Sequence, residues 1–271
     1  MKKVIFVILV IFLAGILLFA GWKAYEILHE YEAGKEFYKE MEQFVSVPAP
    51  SQPKPKTEEA TTVPTETVPE ETVEPEKPKR ALDAQWPAVD FEALHQINPD
   101  VVGWVYIPDT HINYPILQGE TNDTYIYHLL TGEYNSSGSI FLDANIPSDF
   151  STKNIPIHGH HMQNGTMFAD LVEYKEQSFY DAHPYALLVT PEGNYGVHLF
   201  SGYVTAAWSD AWETEFSEDS FAQWLRDLET RSYFATDVVP TEEDRIVTFS
   251  TCTYEYDDAR FVVHGVLEKY S

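Results

Sequence analysis

Ile246-Val247-Thr248-Phe249-Ser250-Thr251-Cys252 and, eight residues beyond the cysteine, Arg260-Phe261-Val262-Val263 are two β-type runs flanking a polar, acidic connection. The pattern predicts two successive strands, with the chain's single cysteine at the end of one and Arg260 near the start of the next. If those strands pair, a thiol and a guanidinium lie together on one rim of a sheet. A cysteine attacks only as the thiolate, so it needs a group that manages its proton and a donor that steadies developing negative charge. Arg260 is a candidate for the second task. For the first, the best placed histidine lies upstream, in Ile155-Pro156-Ile157-His158-Gly159-His160-His161-Met162.

Working outward, further short β runs are predicted at 103–107, 112–117, 139–142, 155–158, 186–190, 195–204 and 261–267. Many short strands separated by turn residues predict a mainly β domain, either a sandwich or a closed barrel, and the pattern alone does not choose between them. Helices are expected over 90–94, before the Asn98-Pro99 turn, over 166–174, and over 217–231. In the last, Phe221, Trp224, Leu225 and Leu228 make one apolar stripe on a polar helix.

The chain divides by composition into an anchor (1–22), a helical stalk (23–46), a Pro/Glu/Thr-rich linker (47–82) and a β-rich domain (83–271). Val4 to Trp22 carries no charge and is long enough to cross a bilayer, and Lys2 and Lys3 favour a cytoplasmic N-terminus with the rest of the chain outside. A cleaved signal peptide is the competing reading, but the helical pattern continues past Trp22. Proline-rich composition from Val47 onward excludes a regular helix and reads as a semi-extended tether, giving reach from the membrane or acting as a plain spacer. Of the net charge of −26, nearly all lies in 83–271, with seven basic groups against thirty acidic ones. That balance argues against nucleic acid as a partner. One cysteine excludes an intramolecular disulfide, and its context favours a reactive thiol.

Together the Thr248-Phe249-Ser250-Thr251-Cys252 run, the Gly159-His160 pair and Arg260 resemble the sortase signature. The closer resemblance is to class B sortases, through Asn98-Pro99-Asp100-Val101-Val102-Gly103-Trp104, Ile107-Pro108, Ile112-Asn113-Tyr114-Pro115, Gly138-Ser139-Ile140-Phe141-Leu142-Asp143 and Gly165-Thr166-Met167-Phe168, in that order. The resemblance spans roughly 88–271. It departs at Phe249, where the family usually has an aliphatic residue, and at His158, where class B members often have tyrosine. It implies a closed eight-stranded β-barrel and a thiol-dependent transpeptidase of the Gram-positive cell surface.

By the same resemblance Cys252 is the nucleophile, His160 the acid/base, and Arg260 the group that holds the substrate carbonyl or its oxyanion. Ser250 and Thr251 become groove contacts, and the helix-bearing insertion before the cysteine strand becomes a wall of the groove. The implied partners are secreted proteins bearing a C-terminal sorting motif of the LPxTG or NPxTN kind and a cell-wall precursor or pilin amine, with the membrane met through the N-terminal helix. No cofactor and no metal are called for. Other readings remain for single residues: a zinc site for the three histidines, a surface ion pair of Arg260 with Asp257 or Asp258, and an ordinary strand position for His264. At the level of function, the alternatives are a peptidase that releases product to water and a non-catalytic peptide-binding module. A free thiol titrates near about 8.5 and a free imidazole near about 6.5, so thiolate beside imidazolium is a minority form at neutral pH and slow turnover is expected.

Overall fold

The structure is a computed structural model and describes residues 2–47, 82 and 84–270. Helix α1 (Lys2–Met41) carries the N-terminal apolar run, whose large side chains are exposed on every side. A helix apolar all round and uncovered by protein is what a lipid-surrounded segment requires. The last turns of α1 differ. Gly34, Tyr38 and Met41 are buried, so the part expected to be a free stalk is packed on the domain.

After a 3-10 turn, β1 (Val45–Ser46) pairs antiparallel with β2 (Ala88–Val89). The amide of Asp90 also donates to the carbonyl of Phe44 at 2.9 Å. Most of the Pro-rich linker lies outside the described residues, but its two flanks are ladder partners with Cα atoms about 5 Å apart. The chain therefore leaves and re-enters the fold at one place. The apolar run of α1 is thus joined to the barrel through the packed end of that helix as well as through the linker.

Helix α2 (Phe91–Ile97) follows, capped by the Asp90 carboxylate, which accepts from the amide of Ala93 at 3.0 Å. The barrel is built from β3 (Val101–Tyr106), β4 (Asn113–Leu117), β5 (Ile140–Leu142), β6 (Asn154–His158), β7 (Tyr185–Thr190), β8 (Gly193–Ala206), β9 (Arg245–Cys252) and β10 (Ala259–Lys269). They close in the order β10-β8-β7-β3-β4-β5-β6-β9. All eight strands read from the sequence are present, each within a few residues of its expected ends. The segment expected as a helix over 166–174 is a 3-10 stretch, Ala169–Lys175, followed by the short helix α3 (Gln177–Ala182). Most pairings are antiparallel, but β4 with β5 and β6 with β9 are parallel.

Alternation along β9 and β10 gives the barrel two working faces. Val247, Phe249, Phe261 and Val263 point into the core. Ile246, Val262 and Val266 point outward into a second apolar cluster, covered by Phe221, Trp224, Leu225 and Leu228 of helix α4 (Glu218–Arg231). The predicted stripe is thus a lid over one end of the outer face of β8, β9 and β10. No residue of α4 lines the cavity described below; the stripe packs this helix on the barrel.

His264 sits under that lid, fully buried and stacked on Tyr203 at 5.5 Å with Trp224 edge-on at 5.9 Å. Neither ring nitrogen has a hydrogen-bond partner among the described residues. Burial, reinforced by the Arg231 guanidinium and opposed by Asp210, pushes its pKa down to about 3. The unfolded chain binds this proton first as pH falls, so stability present above about pH 6.5 is lost progressively toward pH 3, by on the order of 4 kcal/mol. In His264→Phe, chemical denaturation at pH 7 and pH 4.5 should show a clearly smaller acid loss than in the parent; an equal loss would contradict this reading. Replacing residues 48–83 by a four-residue Gly/Ser turn should leave the melting temperature unchanged or raised, because a shorter loop costs less to close.

Candidate active site

The uncovered end of the same outer face carries the predicted site residues of β9 and β10. Ser250 and Cys252 share the face of Ile246, and Arg260 shares the face of Val262. Arg260 and Cys252 are direct cross-strand partners, as the two runs predicted. On the other side of β9, the parallel strand β6 places His158 opposite Ser250. The ladder continues one residue further: the amide of Gly159 donates to the carbonyl of Ser250 at 3.1 Å, and the Thr251 hydroxyl donates to the carbonyl of Gly159 at 2.9 Å. That pairing brings the histidine run, some ninety residues away in sequence, beside the cysteine. An open cavity of about 340 Å³ results, lined by His158, His160, Ser250, Thr251, Cys252 and Arg260 together with Asn122, Ile126, Tyr127 and Phe141.

The three histidines have three different partners. The Nε2 of His160 lies 2.7 Å from the carbonyl oxygen of Ile126. A carbonyl only accepts, so Nε2 carries the proton of the neutral ring and Nδ1 keeps the lone pair. Burial, with a further contribution from the Arg260 charge, lowers the pKa of His160, and the bond to Ile126 only partly offsets this. At pH 7 the ring is neutral, with Nδ1 as its basic atom. His161 turns away, its Nδ1 donating to the carbonyl of Cys252 at 3.0 Å while its ring packs on Tyr254. His158 lines the cavity with Nε2 3.4 Å from the Asp143 carboxylate and its ring against Phe141 at 5.3 Å. Burial works against the charge of Asp143, but bonds from His158, the Asn145 amide and Asn122 outweigh it and hold that carboxyl well below the usual range.

Among the described residues Arg260 makes no ion pair with Asp257 or Asp258; its guanidinium donates to the carbonyl of Ala259 at 3.1 Å and otherwise borders the cavity. Cys252 is half-buried and unpaired. Every predicted site residue reaches this cavity, Thr251 with its hydroxyl already committed to Gly159.

The sequence reading missed Asn122, Ile126, Tyr127, Phe141 and Asp143. Asn122 fastens its loop by donating to Asp143 at 2.9 Å and accepting from the amide of Ala144 at 2.7 Å. The ring of Tyr127 lies 5.5 Å from His160. The available signal was length. The connection from Leu117 to Ile140 contains no strand, and connections this long inside a compact domain are usually functional.

No family model matches the chain. It is 39% identical over 181 residues to the sortase B of Listeria monocytogenes, covering 66% of this chain and 74% of that protein. To the sortase B of Staphylococcus aureus it is 36% identical over 184 residues, covering 67% and 75%. Its structure matches a Staphylococcus aureus sortase B–substrate complex with a TM-score of 0.64 and 36% identity, over 67% of this chain and 85% of that one. The chain belongs to the class B sortases. It is a cysteine transpeptidase with the closed eight-stranded barrel of that family.

Within this sortase, the Arg260 charge and the burial of His160 act on the imidazole in the same direction. In Arg260→Gln, NMR titration of His160 should therefore show its pKa rising, though not to the ordinary imidazole value, because burial is the larger cause. A pKa that stays put or falls would contradict the arrangement.

Proposed function

We propose that this sortase is a membrane-anchored, extracellular enzyme that cleaves a C-terminal sorting motif of the LPxTG or NPxTN kind in secreted proteins and joins the acyl product to a cell-wall precursor or pilin amine. The observation that carries the proposal is the convergence of Cys252, His160 and Arg260 on one open cavity from three separate elements. The Staphylococcus aureus relative is seen in complex with a substrate, which supports reading the cavity as a peptide site. We assign residues 1–22 to the anchor, with Lys2 and Lys3 on the cytoplasmic side, 23–46 to the stalk, 47–82 to the linker and 83–271 to the catalytic domain.

In the first step the Cys252 thiolate attacks the scissile carbonyl carbon, and the Arg260 guanidinium faces the oxyanion that forms. The C–N bond breaks as Nδ1–H of His160 gives its proton to the departing amine, leaving a thioester and a neutral imidazole. The acceptor amine then attacks the thioester carbon and passes its proton to Nδ1. Collapse restores the thiolate and releases the new amide. Ser250 offers a hydroxyl to the peptide, and Thr251 supports the wall through Gly159. The reactive pairing needs a protonated His160, yet burial and Arg260 disfavour that form. Slow turnover follows.

The test uses the full chain in detergent micelles with quenched peptides of both motif kinds, with and without an amine acceptor. Cleavage that is lost in Cys252→Ala and gives an amine-linked product supports the proposal. Cleavage that yields only the free acid would replace it with a peptidase, and peptide binding without cleavage, with Cys252 inert to a thiol reagent, would replace it with a binding module. The pH–rate profile should be a bell with its acid limb below the ordinary imidazole range. Arg260→Ala should lose about 10²–10³ in kcat, as loss of an oxyanion donor does.

A further inference from the structure

The half of α1 nearest the barrel is seated with the specificity of a core element. A Cβ at Gly34 would fall 2.5 Å from Ser137 Oγ and 2.8 Å from Asn135 Oδ1, so only glycine allows this approach. Around it, Asn135 Nδ2 donates to the carbonyl of Glu30 at 3.1 Å, and the amide of Ser136 donates to the Glu30 carboxylate at 2.8 Å. One turn on, the buried Tyr38 hydroxyl donates to the carbonyl of Gly138 at 2.6 Å and lies 2.9 Å from Ser139 Oγ.

Each group that Tyr38 touches leads to His160. Gly138 lies so close to the carbonyl of Ile126 that a Cβ would come within 2.1 Å of that oxygen. Bonds from the amide of Ser139 to Tyr125 O and from the amide of Asn135 to Tyr127 O, both 3.0 Å, clamp the residues on either side of Ile126. Ile126 O is the acceptor for His160 Nε2. On its other side, the Tyr38 ring meets Tyr114 edge-on at 5.3 Å. The Tyr114 hydroxyl accepts from the amide of Met167 at 2.9 Å, and the next amide, of Phe168, donates to the carbonyl of His160 at 2.8 Å. The side chain and the backbone of His160 are thus both held by segments that Tyr38 braces.

We propose that Tyr38, on the membrane-anchor helix, is a positioning residue for His160, so that seating of the anchor sets the geometry of the acid/base. The inference rests on the proposed role of His160. It makes the anchor part of the catalytic apparatus rather than a leash, about 24 Å along the helix from Trp22. Small displacements of a catalytic group are costly even when the change lies far from the chemistry.

The test compares full-length Tyr38→Phe and Gly34→Leu with the parent in the same micelles, measuring kcat, KM, the acid limb of the pH–rate profile and the melting temperature. Tyr38→Phe keeps the ring and removes only the hydroxyl. Its kcat should fall about tenfold with KM within about twofold and the acid limb displaced, at temperatures well below unfolding. Gly34→Leu, which unseats the helix without touching Tyr38, should give the same pattern. A lowered melting temperature with parental kcat and pH profile in both variants would overturn the proposal and leave a purely structural contact. His160→Gln is run alongside. If that variant keeps parental activity, the acid/base reading itself falls and this inference with it; if it is inactive while Tyr38→Phe is unimpaired, only the positioning role fails.

Discussion

The bond from His160 Nε2 to the carbonyl of Ile126 is the interaction on which the rest of the site depends. It fixes the tautomer, because a carbonyl cannot donate, and so leaves the lone pair on Nδ1, the atom that the proposed chemistry uses. It also opposes the desolvation of the ring, though burial still wins. A free histidine on a surface loop would be a better acid at neutral pH but would have no fixed direction. Here the bond orients the ring while burial disfavours its protonation, and the proposed slow turnover rests on that balance.

The barrel supplies the second constraint through one parallel contact. If β6 met β9 one residue out of register, the outward set Asn154, Pro156 and His158 would exchange faces with Ile155 and Ile157, and the apolar core would reject it. The register that buries Ile155 and Ile157 is therefore the one that sets His158 opposite Ser250 and leads His160 to the cavity. Stability and site geometry are settled by the same side chains. The outer face is then divided: α4 covers the end holding Ile246, Val262, His264 and Val266, and the end holding Ser250, Cys252 and Arg260 is left open. A basic ring sealed under aromatic side chains at one end and a thiol exposed at the other are two outcomes of one alternation.

Much of this was legible in the sequence. The β-type runs gave eight strands because each alternates or is continuously apolar over a short span, and the pairing on which the meeting of Cys252 and Arg260 was conditional is present in the fold. The sortase resemblance supplied what periodicity does not, namely the closed barrel, and it singled out His160, which the fold places at the cavity. Three features were not legible. Asn122 and Tyr127 belong to a strandless connection, tied to Asp143 just beyond β5, whose path is fixed by hydrogen bonds from side chains such as Asn122 and Asn135, with no period to read. The seating of α1 depends on Gly34 and Tyr38 meeting residues a hundred positions away, which no local pattern encodes. The pairing of β1 with β2 joins two-residue strands across the linker, so composition alone suggested a tether where the chain is pinned at both ends.

The most direct measurement is the protonation state of each His160 nitrogen, read by ¹⁵N NMR of the histidine-labelled full chain at pH 7 and assigned by difference against His160→Gln. The account predicts a neutral ring with the proton on Nε2 and a bare Nδ1. A neutral ring with its proton on Nδ1 would contradict the bond to Ile126 and the acid/base chemistry built on it, and an imidazolium at that pH would contradict the lowering of the pKa by burial.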